Sequence, residues 1–216
     1  WQAPDREART AAGQVPGGAI PRVITDVPAG LEPTSDLAVG RASVAFLDAE
    51  QDPIVVTAVD GVAHRLDLGE WGPDRAAYAL SPDGSRLAYQ QPSDAGTRLT
   101  VLDLRTGRAE ALLLDPEHQV QVDYLSWSPG SDWLGWVSPA TGATRASAGT
   151  IRADGAEAGR FVLKRNASSV AVSDGGDSVV GHVNGGLTLL PLHGSPQRLW
   201  TDGLRSEEHT SELQSH

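Results

Sequence analysis

The chain has 216 residues, with 17 basic side chains against 28 acidic ones, a net charge of −11 and an isoelectric point near 4.8. That balance argues against non-specific binding to a nucleic-acid backbone, which needs clustered Lys and Arg, and reads as a solvated acidic surface. The absence of cysteine excludes a disulfide framework, a thiolate metal site and a cysteine nucleophile, and no apolar run approaches the length of a membrane span.

Residues 1–35 are punctuated by Pro4, Pro16, Pro21, Pro28 and Pro33 and by Gly13, Gly17 and Gly18. They read as a mostly extended linker, with a short helical turn at Arg6–Ala12. The chain starts at Trp1 and has no methionine, as expected of a fragment or processed form that a signal peptide or anchor could have preceded. Lys164 is the only lysine against 16 arginines, a bias that suggests a GC-rich, bacterial coding sequence.

The first strand-forming unit comprises Ser43–Leu47, Pro53–Thr57 and Val62–Leu66, with a turn at Asp60-Gly61. The next is the clearest. Ala79 and Leu80 lead into Ser81-Pro82-Asp83-Gly84, and Ser85–Tyr89 leads out. Proline presets φ at such a reversal, Asp can bond the backbone two residues on, and glycine takes the positive φ that a Cβ would resist. Period-two alternation then puts Leu87 and Tyr89 on one face of a strand and Ala88 on the other. Leu99, Val101 and Asp103 likewise separate from Thr100, Leu102 and Leu104. Thr106-Gly107 supplies another turn, and Arg108–Leu113 an outer strand.

The pattern recurs. Tyr124–Trp127 with Ser128-Pro129-Gly130 runs into Trp133–Val137, and Ser169–Val172 with Ser173-Asp174-Gly175 runs into Ser178–Val183 and Leu187–Leu190. The turn serines 81, 128 and 173 are spaced by 47 and 45 residues, and Ser43 precedes Arg86 in the matching phase by 43. Four short strands at this period are the content of one blade of a β-propeller. A β-sandwich also has short strands and frequent turns, but reuse of one turn at one phase favours the propeller. The predicted fold is all-β, about four blades of four-stranded antiparallel sheet, near residues 36–69, 77–115, 122–163 and 168–201.

The segment Leu80–Tyr89 followed by Leu99–Leu104 resembles the WD40-like repeat of TolB-type bacterial β-propellers, over residues 37–200 in four copies. The Gly-His and Trp-Asp signatures of eukaryotic WD40 repeats are absent. The resemblance implies a fold and carries no catalytic residue with it. Residues 205–216 break both the β-pattern and the composition. Arg205–Gln214 resembles the translation of a common sequencing-adapter oligonucleotide, which would make the tail an artefact that cuts the gene within the ring. That tail holds one Arg and three Glu, so residues 1–204 carry about −9. A propeller closes with about 4 to 8 blades, and four blades are then expected to be an incomplete ring, with exposed faces prone to aggregation.

Chemistry-bearing motifs are weak. Gly-x-Ser-x-Gly, His-Glu-x-x-His and phosphate-binding glycine loops are absent. His64, His118, His182 and His193 fall in separate units, and His209 and His216 lie in the tail, so none has local metal-ligand spacing. Asp174-Gly175-Gly176-Asp177 reads as a turn, because it lacks the ligand alternation of a calcium loop. Trp127, Trp133 and Trp136 read as core, although residues 133 and 136 face opposite sides of one strand and one of them could stack on a ligand. Asn166-Ala167-Ser168 fits a glycosylation sequon and reads as an ordinary loop.

No catalytic, cofactor-binding or metal residue is assigned. The expected function is a non-enzymatic propeller scaffold binding a protein or small ligand on its inter-strand loops, secreted or tethered at the bacterial cell surface. No nucleic-acid partner is expected. The alternative is the accessory propeller of a prolyl-oligopeptidase-type hydrolase whose catalytic domain lies elsewhere.

Overall fold

The computed structural model describes residues 30–69, 77–93, 96–114, 121–140, 145–164, 166–182 and 186–199. The sequence-predicted helical turn at 6–12, His118 and the tail 205–216 lie outside these residues. Sixteen strands run in chain order: β1 (Pro33–Thr34), β2 (Ala42–Leu47), β3 (Pro53–Thr57), β4 (Ala63–Leu66), β5 (Tyr78–Leu80), β6 (Arg86–Ser93), β7 (Gly96–Asp103), β8 (Arg108–Leu112), β9 (Tyr124–Trp127), β10 (Trp133–Ser138), β11 (Ser147–Arg152), β12 (Ala158–Val162), β13 (Ala167–Val172), β14 (Ser178–His182), β15 (Leu187–Leu190) and β16 (Gln197–Leu199). They form four sheets, ordered β1-β4-β3-β2, β5-β6-β7-β8, β9-β10-β11-β12 and β13-β14-β15-β16. Each sheet is one blade.

The last three sheets are antiparallel meanders throughout. The first departs from expectation: its outer strand is β1, drawn from the segment read as linker, and it pairs in parallel with β4, Pro33 against Arg65 and Thr34 against Leu66. An edge position suits Pro33, whose missing N–H breaks no ladder there. The Arg65 guanidinium donates to the Leu31 carbonyl at 3.4 Å, and the Asp67 N–H to the Thr34 carbonyl at 3.0 Å.

Strand alternation builds three cores between four sheets. Leu87, Tyr89, Leu102 and Leu104 face the first sheet, where they meet Ala42, Val55 and Leu66. Ala88, Leu99 and Val101 face the third sheet and meet Trp127, Leu134, Trp136 and Ile151. Val137, Ala146 and Ala148 pack on Ala167, Val180 and Leu190 of the fourth. One strand therefore feeds two cores, and the sheets follow one another in an arc. Among the described residues the ring is not closed.

The hairpin turns after β5, β9 and β13 lock this arc. Gly84 has φ +71, and its carbonyl accepts from the Ala42 N–H of the first sheet at 2.8 Å. The Asp83 N–H donates to Ser131 Oγ at 3.1 Å, and the Gly130 N–H to Asp174 Oδ1 at 2.6 Å. Each turn thus holds the next.

Candidate functional site

A groove of 830 Å³ opens at this turn end between the second and third sheets. Its floor is apolar, from Val101 and Ala153, both buried against the inter-sheet core. Its walls are charged. On the second sheet, Arg86 pairs in register with Asp103 and Asp103 with Arg108, while Ala88 pairs with Val101 and Val101 with Glu110. Direct cross-strand partners share a face, so Arg86, Asp103, Arg108 and Glu110 all belong to the face turned toward the groove. The third sheet contributes Asp132, Arg152 and Asp154, and the fourth contributes Asp174.

Most of these charges are already engaged. Arg86 donates to the Ser131 carbonyl at 3.0 Å and lies 3.9 Å from the Asp132 carboxylate. Burial alone would make Asp103 a weaker acid. Hydrogen bonds from the Arg105 side chain and backbone, the Arg105 charge and the Thr106 N–H outweigh it and hold Asp103 below the usual carboxylate range. Asp154 is lowered chiefly by its hydrogen bond from Arg152, with help from the Ala156 N–H. A general acid at neutral pH needs the opposite shift, so both groups serve as fixed negative charges. Arg108 and Glu110 differ: among the described residues, neither side chain makes a hydrogen bond or ion pair. The arrangement suits recognition of a charged ligand.

Of the residues singled out from sequence, Trp133 and Asp174 line the groove, and the others fall elsewhere or serve the fold. Trp127, Trp133 and Trp136 are all buried, and of the two on β10 it is Trp133 whose remaining exposed edge lines the groove. The Trp127 indole N–H donates to the Ala79 carbonyl of the second sheet at 2.9 Å, and the Trp133 ring lies against Gly176. Asp174 and Asp177 each accept a backbone N–H, from Gly130 and from Leu192, at 2.6 and 2.7 Å. His64 sits on β4, His182 shares a hydrogen bond with Thr188 at 2.9 Å, and His193 lies 3.2 Å from Glu157. Among the described residues no three His, Asp or Glu side chains converge as a metal site. Asn166 Oδ1 accepts from the Ala140 N–H at 3.2 Å. Sequence reasoning passed over Arg86, Arg108, Glu110, Asp132, Arg152 and Asp154. The available signal was a charged residue at the turn-proximal end of several strands.

Comparison with known proteins supports the architecture. No protein-family model and no curated protein matches the chain. The structural neighbours include TolB-like and gluconolactonase β-propellers. A candidate gluconolactonase superposes with a TM-score of 0.51 at 16% identity, covering 84% of this chain and 71% of its own. The fold is a β-propeller. An acylaminoacyl peptidase from Pyrococcus horikoshii gives a TM-score of 0.48 at 17% identity over 72% of this chain, and a candidate TolB from Agrobacterium tumefaciens gives 0.45 at 16% over 74%. The chain spans 29% of that peptidase and 66% of that TolB structure. No helix among the described residues is long and apolar enough to cross a membrane.

Proposed function

We propose that this chain is a non-enzymatic β-propeller scaffold that binds a protein or small ligand in the groove between its second and third sheets. The observation that supports the reading is the groove itself. An apolar floor lies between charged walls, and on the second sheet the charges are carried on strands, which hold their side chains more firmly than loops do. Carboxylates kept ionised and arginines beside them supply orientation and selectivity, and the floor supplies contact area. The resemblance to TolB-type repeats supports the further reading that the module works outside the cytoplasm, secreted or tethered at a bacterial surface.

Random heptapeptides displayed on phage, selected on the immobilised full chain, test the binding claim. Asp132 is 74% exposed, so Asp132→Arg leaves the fold intact while reversing one wall charge. Enriched sequences are expected to bind this variant about tenfold more weakly. Failure to enrich any sequence, or binders indifferent to Asp132→Arg, counts against the groove. Protease treatment of intact native cells tests the location: digestion of the chain supports an external site, and full protection opposes it.

A further inference from the structure

We propose that the outer edge of the second sheet takes up an extended peptide as an added antiparallel strand, with a basic and an acidic side chain two residues apart facing the groove. This rests on the reading of the groove as a binding site and names its ligand class. Among the described residues β8 is the terminal strand of its sheet and pairs only with β7. Arg108, Ala109, Glu110 and Ala111 are all exposed, and only Leu112 is buried. Such an edge leaves every second N–H and C=O free to pair with an incoming backbone.

The side chains set which peptide fits. Across the sheet at the turn end, the row reads Arg86, Asp103, Arg108, alternating in sign. The next position beyond β8 in that row therefore favours a carboxylate. The neighbouring row reads Ala88, Val101, Glu110, and its next position favours a cation. Side chains two apart on an added strand share one face and repeat at about 6.6–6.8 Å, the same interval that separates Arg108 from Glu110. An antiparallel strand meets Glu110 before Arg108, so its sequence reads basic-x-acidic from N to C terminus. Charges at an edge usually deter pairing. Here the two are opposite in sign and lack partners among the described residues, so they select a complementary strand instead.

The test uses the full chain and fluorescein-labelled heptapeptides with Lys-Val-Glu, Gln-Val-Gln or Glu-Val-Lys at the centre, read by anisotropy. The Lys-Val-Glu peptide is expected to bind about tenfold tighter than Gln-Val-Gln, two favourable cross-strand pairs being gained. The double reversal Arg108→Glu/Glu110→Arg is expected to prefer Glu-Val-Lys, with an unchanged circular dichroism spectrum. Methylating the backbone nitrogens of the bound peptide is expected to abolish binding. Equal affinity of the parent for all three peptides, or a preference that survives the double reversal, overturns the proposal. If phage selection yields groove binders without the basic-x-acidic pattern, the groove reading stands and the strand-addition proposal fails. If neither experiment yields binding, both fail.

Discussion

Replacing Gly84 by alanine separates the two demands that the β5–β6 turn places on one residue. Gly84 has φ +71, and a left-handed conformation costs an L-residue with a side chain about 1–2 kcal/mol. A Cβ there would stand 2.1 Å from the Ala42 carbonyl oxygen, which is backbone and cannot rotate away. The first and second sheets must then separate locally, weakening the 2.8 Å hydrogen bond from the Ala42 N–H to the Gly84 carbonyl. Losing that bond adds about 1 kcal/mol, for a total of about 2–3 kcal/mol. Gly69 is the internal control, because its φ is +72 and a Cβ there meets nothing within 4 Å. Gly69→Ala should cost only the conformational part, about 1–2 kcal/mol. In urea titrations of the full chain the two variants should differ by about 1 kcal/mol, and their melting temperatures by about 2–4 °C. Equal losses in the two variants would refute the claim that this turn is an inter-sheet contact.

Three further outcomes follow from the same contacts. Trp127→Phe removes the N–H that reaches the Ala79 carbonyl but keeps most of the ring volume, so calorimetry should show a loss of about 1–2 kcal/mol. Asp83 is held below the usual carboxylate range: burial opposes this, but hydrogen bonds from Ser81 and Ser85, with the charge of Arg41, prevail. Its stabilisation is therefore complete above the unfolded-state value near 4 and is lost as pH falls through the lower folded value. The gap in urea midpoint between the parent and Asp83→Ala should be wide at pH 7 and narrow at pH 2, and a gap independent of pH would contradict this. Arg152→Ala should leave the melting temperature unchanged, because its ion pair with Asp154 is solvent-exposed at both ends.

Much of the architecture was legible because its determinants are local. Ser81-Pro82-Asp83-Gly84 specifies a reversal, and the alternation of Leu87, Ala88 and Tyr89 assigns each side chain to the core it fills. Two strands carried little signal. β11 reads Ser-Ala-Gly-Thr-Ile-Arg, almost without large apolar residues, yet it is buried over five of six positions. The cause is its neighbours: a Cβ on Gly149 would stand 2.1 Å from the Gly159 carbonyl oxygen of β12 and 2.9 Å from the Trp136 ring of β10, so both flanking strands require smallness there. β1 escaped notice because two residues in a proline-rich stretch have no periodicity, and the parallel pairing depends on Arg65, 34 residues beyond Leu31. The groove was illegible for a related reason. Its charges come from three blades, and only the stacking of sheets brings them together.

The hydrogen bonds of the repeated turn also bear on where a ligand can bind. Asp83 accepts from the Ser81 hydroxyl at 2.6 Å, the Ser85 N–H at 3.0 Å and the Ser85 hydroxyl at 2.7 Å, and its own N–H donates to Ser131. Ser81 Oγ in turn accepts from the Arg86 N–H at 2.9 Å. A ligand competing for these groups would have to dismantle the contacts that order the blades. The repeated motif is therefore committed to the fold, and the proposed recognition falls to side chains that the repeat leaves free. Arg108 and Glu110 meet that condition on an exposed edge strand beside an apolar floor. Changing them should alter what the chain binds while leaving its stability within about 0.5 kcal/mol of the parent. A large loss of stability in Arg108→Glu/Glu110→Arg would mean that the edge belongs to the fold after all.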